Sequence, residues 1–339
     1  SSNQFAYIFA GEATLEGGAS ANICMDKAAS TRTSVMSFNS KADTEYDFKG
    51  SVGSGISIVK SGSGTQIFSG DTSDYDGTVT INAGTFSFTG TGDLGSEAIT
   101  IASGSELKLG NSGADSERAI ANSISGAGKM TIIGANTVKL TSAATHSGGT
   151  EVQAGSTLSL AAGGQTGALR GTVDVYGTMK FSTGDVTGWG NSADVISTIN
   201  VYSGGEINVA VTDNQTAAGL VLNLQGGSLT GVSGSNLDLY YGGGNKYATI
   251  NALAADGATA ESPTVSTISG VSLGIRQNDN IFTVDSNARL EINSSIVDRI
   301  VDGGKGGHSP AGTPSLAKDG SGEMVLKGTN NFNWFTYVN

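Results

Sequence analysis

From Val79 onward the chain repeats one short phrase of apolar and polar positions. In Val79-Thr80-Ile81-Asn82-Ala83-Gly84-Thr85-Phe86-Ser87-Phe88, apolar residues alternate with polar ones, a small residue and a glycine intervene, and the alternation resumes. The phrase returns at 99–109, 152–160, 173–181, 199–209, 222–229 and 282–292. Alternation at period two on both sides of a glycine predicts two short half-buried strands joined by a tight bend. Gly or Asn at the bend suits a positive φ.

The spacing of the copies sets the architecture. With the second apolar residue before each bend as marker, Ile81, Ile101, Val152, Val175, Val201 and Leu224 follow at gaps of 20, 51, 23, 26 and 23 residues. The longest gap reads as two units with Ile124 as its midpoint. A period of roughly 20–28 residues is one coil of a solenoid, whose strands stack on those of the next coil and align their apolar residues in an inward stripe. The expected fold is all-β, a right-handed parallel β-helix forming a single elongated domain, with about 13–14 coils at roughly 24 residues each. An antiparallel sandwich would need hairpin turns between longer strands. Asp76-Gly77, Asp256-Gly257, Asp302-Gly303 and Asp319-Gly320 occur, but three of these four lie outside the repeated phrase.

Composition agrees and removes several functions. Glycine, serine and threonine number 52, 43 and 35 of 339 residues, which disfavours helix, and 3 prolines without a glycine at every third position exclude collagen. A hydrophobic content of 37% is enough for a core. The net charge of −12 would repel nucleic acid and anionic membrane surfaces. Cys24 is the only cysteine, so it is expected as a free thiol without an internal disulfide. No apolar run of about 18 residues is present, and the first residues, Ser1 to Phe5, lack the pattern of a signal peptide, so no membrane insertion by this chain is expected.

A longer repeat overlies the short one. Phe48-Lys49-Gly50-Ser51-Val52-Gly53-Ser54-Gly55-Ile56-Ser57-Ile58-Val59-Lys60-Ser61-Gly62-Ser63-Gly64-Thr65-Gln66-Ile67-Phe68-Ser69-Gly70, followed by Gly77 to Thr85, resembles the autotransporter-associated β-strand repeat, or passenger-associated transport repeat, of bacterial autotransporter passengers. A second copy runs from Ser125 to Gly155 and has lost the Lys-x-Gly-x-Gly-Thr core. A third opens at Leu316-Ala317-Lys318-Asp319-Gly320-Ser321-Gly322 and reaches Asn331. Tyr337-Val338-Asn339 stands where Thr80-Ile81-Asn82 stands in the first, which leads to the expectation that the chain stops inside a longer parent. The resemblance implies a passenger at the bacterial cell surface, outer membrane-associated or secreted, with host or cell-surface glycans or proteins as partners.

Candidate chemistry is sparse. Gly270-Val271-Ser272-Leu273-Gly274 has the G-x-S-x-G pattern, with Asp285 and His308 following, but Val265 to Ile275 reads as strand where a strand-to-helix turn is required. His146 and His308 lie on separate Gly-rich loops and read as solvated surface groups. Asp71, Asp74 and Asp76 could hold Ca²⁺, yet the register of a calcium loop is missing, and an exposed turn is the default. Asp174, Asp185, Asp194 and Asp238 are scattered singly. Tyr240, Tyr241 and Tyr247 flank a Gly-rich stretch where exposed rings could stack on sugars, against the plainer reading as core filling. Phe5, Tyr7 and Phe9 at one end, and Phe332, Trp334, Phe335 and Tyr337 at the other, read as end caps.

The organisation expected is an N-terminal cap with the first coils over 1–50, central coils over 51–301, a Gly/Pro-rich loop over 302–315 and a last, truncated repeat over 316–339. The function expected is non-catalytic, structural, display or adhesive, without a cofactor, a catalytic residue or a required metal. The alternative is a glycan-active enzyme, a polysaccharide lyase or hydrolase, because β-helices host such chemistry with clustered carboxylates.

Overall fold

The computed structural model describes residues 6–9, 22–23, 34–111, 117–189, 195–241, 246–275, 280–298, 315–331 and 336–338. Among these there is no helix. The chain divides into two compact units, Ser1–Ser159 and Leu160–Asn339. Each is a β-solenoid of short stacked strands, and the described strands amount to about 11 turns. All strand pairings but one are parallel among the described residues; the exception joins Tyr240–Tyr241 to Lys246–Tyr247.

In unit 1 the first sheet stacks Ala6–Phe9, Ser34–Asn39, Ile56–Ser61, Val79–Ile81, Ile99–Ile101 and Ile124–Gly126. The second stacks Glu45–Phe48, Thr65–Phe68, Thr85–Phe88, Glu106–Leu109, Lys129–Ile132 and Thr150–Val152. A third pairs Glu117–Ile120 with Thr137–Leu140. In unit 2 the first sheet runs through Gly171–Val175, Ile196–Tyr202, Val221–Gln225, Thr249–Ala252, Asn280–Val284, Leu316–Asp319 and Thr336–Val338. Its second sheet runs from Thr178–Phe181 to Glu323–Leu326, and a third joins Asn236–Asp238, Ser272–Ile275 and Ile296–Asp298.

Alternation turns every second side chain inward, and register makes those side chains into columns. In unit 1 one column is Phe48, Phe68, Phe88, Leu109, Ile132 and Val152, each at most 1% exposed. Phe68 sits at its aromatic centre, with ring centroids 5.0 Å from Phe86, 5.4 Å from Phe38 and 5.7 Å from Phe48, all edge-on. The matching column of unit 2 is aliphatic, with Val175, Val201, Leu224, Ala252 and Val284 all fully buried. Each such residue contributes roughly 1.5–3 kcal/mol by leaving water, Ala252 less.

All six markers are buried, but two register expectations are corrected. Ile81 does pair with Ile101, yet the partner of Ile101 one coil on is Gly126, and Ile124 pairs with Ile99 instead. Val152 pairs with Ile132, the second arm of the preceding copy. The phrase has therefore moved one side around the coil between 132 and 150. Coil length also varies: paired positions are 20 residues apart at Ile81 and Ile101, 28 at Leu224 and Ala252, 36 at Phe282 and Lys318, and 20 again at Leu316 and Thr336. The longer spacings give about 11 turns in place of the 13–14 expected.

The corner after Lys60 explains the Lys-x-Gly-x-Gly phrase. Lys60 faces inward between Phe38 and Ile81, and is fully buried. Its ammonium donates to the carbonyls of Ser61 and Gly62 at 2.8 Å and of Ala83 at 3.0 Å, so it satisfies two successive turns. Burial lowers its pKa to about 8. Gly62 holds φ at 73°, and a Cβ on Gly64 would stand 2.0 Å from the Lys41 carbonyl, so this bend requires both glycines. In the third window Lys318, 7% exposed, repeats the device by donating to Gly320.

Two further basic groups are buried in unit 1. Arg118 donates to the carbonyls of Phe88 and Gly110 and to the Thr72 hydroxyl at 2.8 Å, pinning separate coils. Its burial lowers its pKa to about 10. His146, expected as a solvated loop residue, is fully buried. Its Nε2 lies 3.2 Å from the Gly149 carbonyl and 3.0 Å from the Thr150 hydroxyl, while Nδ1 has no partner among the described residues. A carbonyl only accepts, so Nε2 carries the proton, and burial lowers the pKa to about 4.

Candidate functional site

Inward positions are spent on packing, so recognition falls to the outward positions. The outward column of the first sheet of unit 2 holds Asp174, Asn200, Asn223 and Asn251, each in register with the next. The residues flanking them on each strand point inward and are nearly or fully buried, which holds the four amide and carboxylate groups on one line.

These groups form a one-way hydrogen-bond chain. The Asn251 amide donates to Asn223, Asn223 to Asn200, and Asn200 to Asp174, every bond 2.8 Å. Each donor polarises the next, and the chain ends on the carboxylate, the strongest acceptor in the row. A primary amide carries two N–H groups, and the second N–H of Asn200, Asn223 and Asn251 has no protein partner among the described residues.

One step toward the bend, two tyrosines from successive coils lie flat on each other. The rings of Tyr176 and Tyr202 are 4.3 Å apart and 5° from parallel. Tyr176 keeps 39% of its surface exposed, and Tyr202 is half-buried. The Tyr202 hydroxyl donates to Asp174 at 3.4 Å, which joins ring pair and ladder. Burial, together with Asp174 and Tyr176 alongside, pushes the Tyr202 hydroxyl up to about 12. The row thus offers a flat aromatic pair, a line of amide donors, one carboxylate and no cation.

The sequence candidates take other roles. Tyr240 and Tyr241 form one arm of the antiparallel pair with Lys246–Tyr247; the side chains of Tyr240 and Tyr241 lie outside the described part, and Tyr247 is half-buried. Asp71 accepts the Ser73 N–H at 3.0 Å, which lowers its pKa, and Asp76 accepts the Gly55 N–H at 2.7 Å. Two of the three carboxylates thus cap backbone, while Asp74 is exposed. Among the described residues no group of three or more His, Cys, Asp or Glu is placed to hold a metal ion.

Ser272 opens the strand Ser272–Ile275, and its N–H donates to the Ser235 carbonyl, so it has the strand setting read from sequence. Asp185 sits at a positive φ of 52° and accepts the Thr216 N–H at 2.9 Å. Burial raises its pKa, and the fully buried Asp238 adds to the rise. Cys24, Asp194, His308, residues 302–314, Phe5, Phe332, Trp334 and Phe335 lie outside the described residues.

The Gly-rich corners can now be set against known families. Residues 58–88 and 125–160 match the family model described as passenger-associated transport repeat. The chain carries passenger-associated transport repeats. The matched regions overlap the first and second windows read from sequence, and the first contains Lys60 with its two glycines. The repeats and the solenoid fit an autotransporter passenger. No curated protein and no solved structure matches the chain.

Proposed function

We propose that this chain is the non-catalytic body of an autotransporter passenger, displayed on the bacterial surface or secreted, with an adhesive role. The observation that carries this is the use of its polar groups. Turn carbonyls take up Lys60 and Lys318, backbone N–H groups take up Asp71, Asp76 and Asp185, and the outward groups of unit 2 form a passive ladder. A hydrolase needs instead a nucleophile, or a pair of carboxylates, facing an open cleft with its acid and base held for the reaction.

Asp185 and Asp238 are the pair on which a glycan-active reading would rest, since one raises the pKa of the other. Asp185 already caps Thr216, which supports a structural role for it. The purified chain should release no reducing ends or unsaturated products from a panel of plant and bacterial polysaccharides. Release abolished by Asp185→Asn would overturn the proposal. Antibody staining of intact cells expressing the protein should label their surface or the medium; staining confined to permeabilised cells would also overturn it.

A further inference from the structure

We infer that the Tyr176 and Tyr202 ring pair, with the Asp174, Asn200, Asn223 and Asn251 ladder, is a binding site for a neutral linear glycan laid across successive coils. The inference rests on the adhesive reading above and names its ligand class. Three features select this class. A stacked aromatic pair beside a hydrogen-bonding row suits a sugar, whose C–H groups pack against the exposed part of the pair while its hydroxyls meet amides and the carboxylate. The spare amide N–H groups recur once per coil, at the strand spacing of about 4.8 Å, so they match a ligand that is itself a repeat. The row has one carboxylate and no cation, and the chain carries a net −12, which turns away sulfated, uronate-rich and nucleic-acid polymers.

The site is also pre-ordered. The rings hold each other at 4.3 Å, and the amides are fixed by their mutual bonds, so little side-chain freedom remains to be lost on binding. The ladder has a direction, from Asn251 toward Asp174, so the two orientations of a bound chain are inequivalent.

The test titrates the full chain with cellohexaose, maltohexaose and xylohexaose, with a hyaluronan fragment as the anionic control, by calorimetry and tyrosine fluorescence. At least one neutral oligomer is expected to bind and hyaluronan is not. Tyr176→Ala should weaken binding at least about tenfold with melting unchanged, and Tyr176→Phe should retain it, since the apolar ring and not the hydroxyl is used. Asn223→Asp, which interrupts the ladder and adds a charge, should weaken it similarly. Absence of binding by all three neutral oligomers, preference for hyaluronan, or binding indifferent to Tyr176→Ala and Asn223→Asp would each overturn the inference. Antibody staining of cells displaying the Tyr176→Ala protein separates the two levels: lost binding with intact display concerns this site, whereas lost display of the unaltered protein concerns the adhesive reading.

Discussion

The interior of unit 1 and the outer face of unit 2 solve opposite problems with the same backbone. Inside unit 1, Lys60, Arg118 and His146 are buried, and the two cations are tolerated because carbonyls converge on them. Outside unit 2, neutral amides and tyrosines stand in register over an all-aliphatic column and bond to one another. Where unit 2 does bury cations, at Arg170 and Lys318, it returns to the unit 1 device and offers them carbonyls at the bend. The charged ends of Lys60, Arg170 and Lys318 meet carbonyls at bends, whereas Arg118 reaches from the strand Glu117–Ile120 to the carbonyls of Phe88 and Gly110. Along the straight sides the carbonyls are used mainly by the ladder to the next strand, which leaves few to receive a buried charge.

Substitutions should sharpen that contrast. The largest effect belongs to Val175→Asp, which places a carboxylate on a straight side of unit 2 without a donor; it should cost about 4 kcal/mol or more. Hydrogen exchange should show local opening of the flanking coils, and unchanged protection there would contradict the contrast. Next is pH. His146 is held neutral with a folded pKa of about 4 against an unfolded 6.5, so the unfolded chain binds more protons between these values. Stability should therefore fall as pH drops from 6.5 to 4, by about 3 kcal/mol, and His146→Gln should flatten this slope in denaturant titrations.

A third change, Lys60→Met, keeps most of the stem packing but removes the donor to three carbonyls, for a loss of about 2 kcal/mol in unit 1. On the outer face the scale shrinks. Asn223→Ala should cost about 1 kcal/mol in thermal unfolding, because water replaces the lost amide. Smallest is Glu117→Gln, which loosens the exposed pair with Lys139 and should stay within about 0.5 kcal/mol.

The solenoid was legible because period-two alternation and a glycine bend are local signals, carried by every copy, with Asn287 in the glycine's place in the copy at 282–292. Which side of the coil a copy occupies was not, since Ile99–Leu109 and Val152–Leu160 read alike although they lie on different pairs of sheets. That choice is made by loop length, which the apolar pattern does not encode. His146 was misread because Gly148 and Gly149 signal a loop, and a loop at a coil corner can still turn one side chain inward. The tyrosine pair was missed, yet its signal was present. Tyr176 and Tyr202 each follow the marker valine directly, and Asp174, Asn200 and Asn223 each precede a marker. Aligning copies by polar position, as well as by apolar position, would have exposed the ladder.

The inward lysines and arginines also bear on survival outside a cell. Trypsin-like enzymes need a basic side chain seated in their specificity pocket and an extended backbone around it. Lys60, Arg118, Arg170 and Lys318 are at most 9% exposed, and their ends are tied into carbonyls, so four cleavage points exist only while a coil is open. Their digestion then follows the opening equilibrium of individual coils. The same corner that lets a charge into the core withdraws a digestion site from the enzymes of the surroundings.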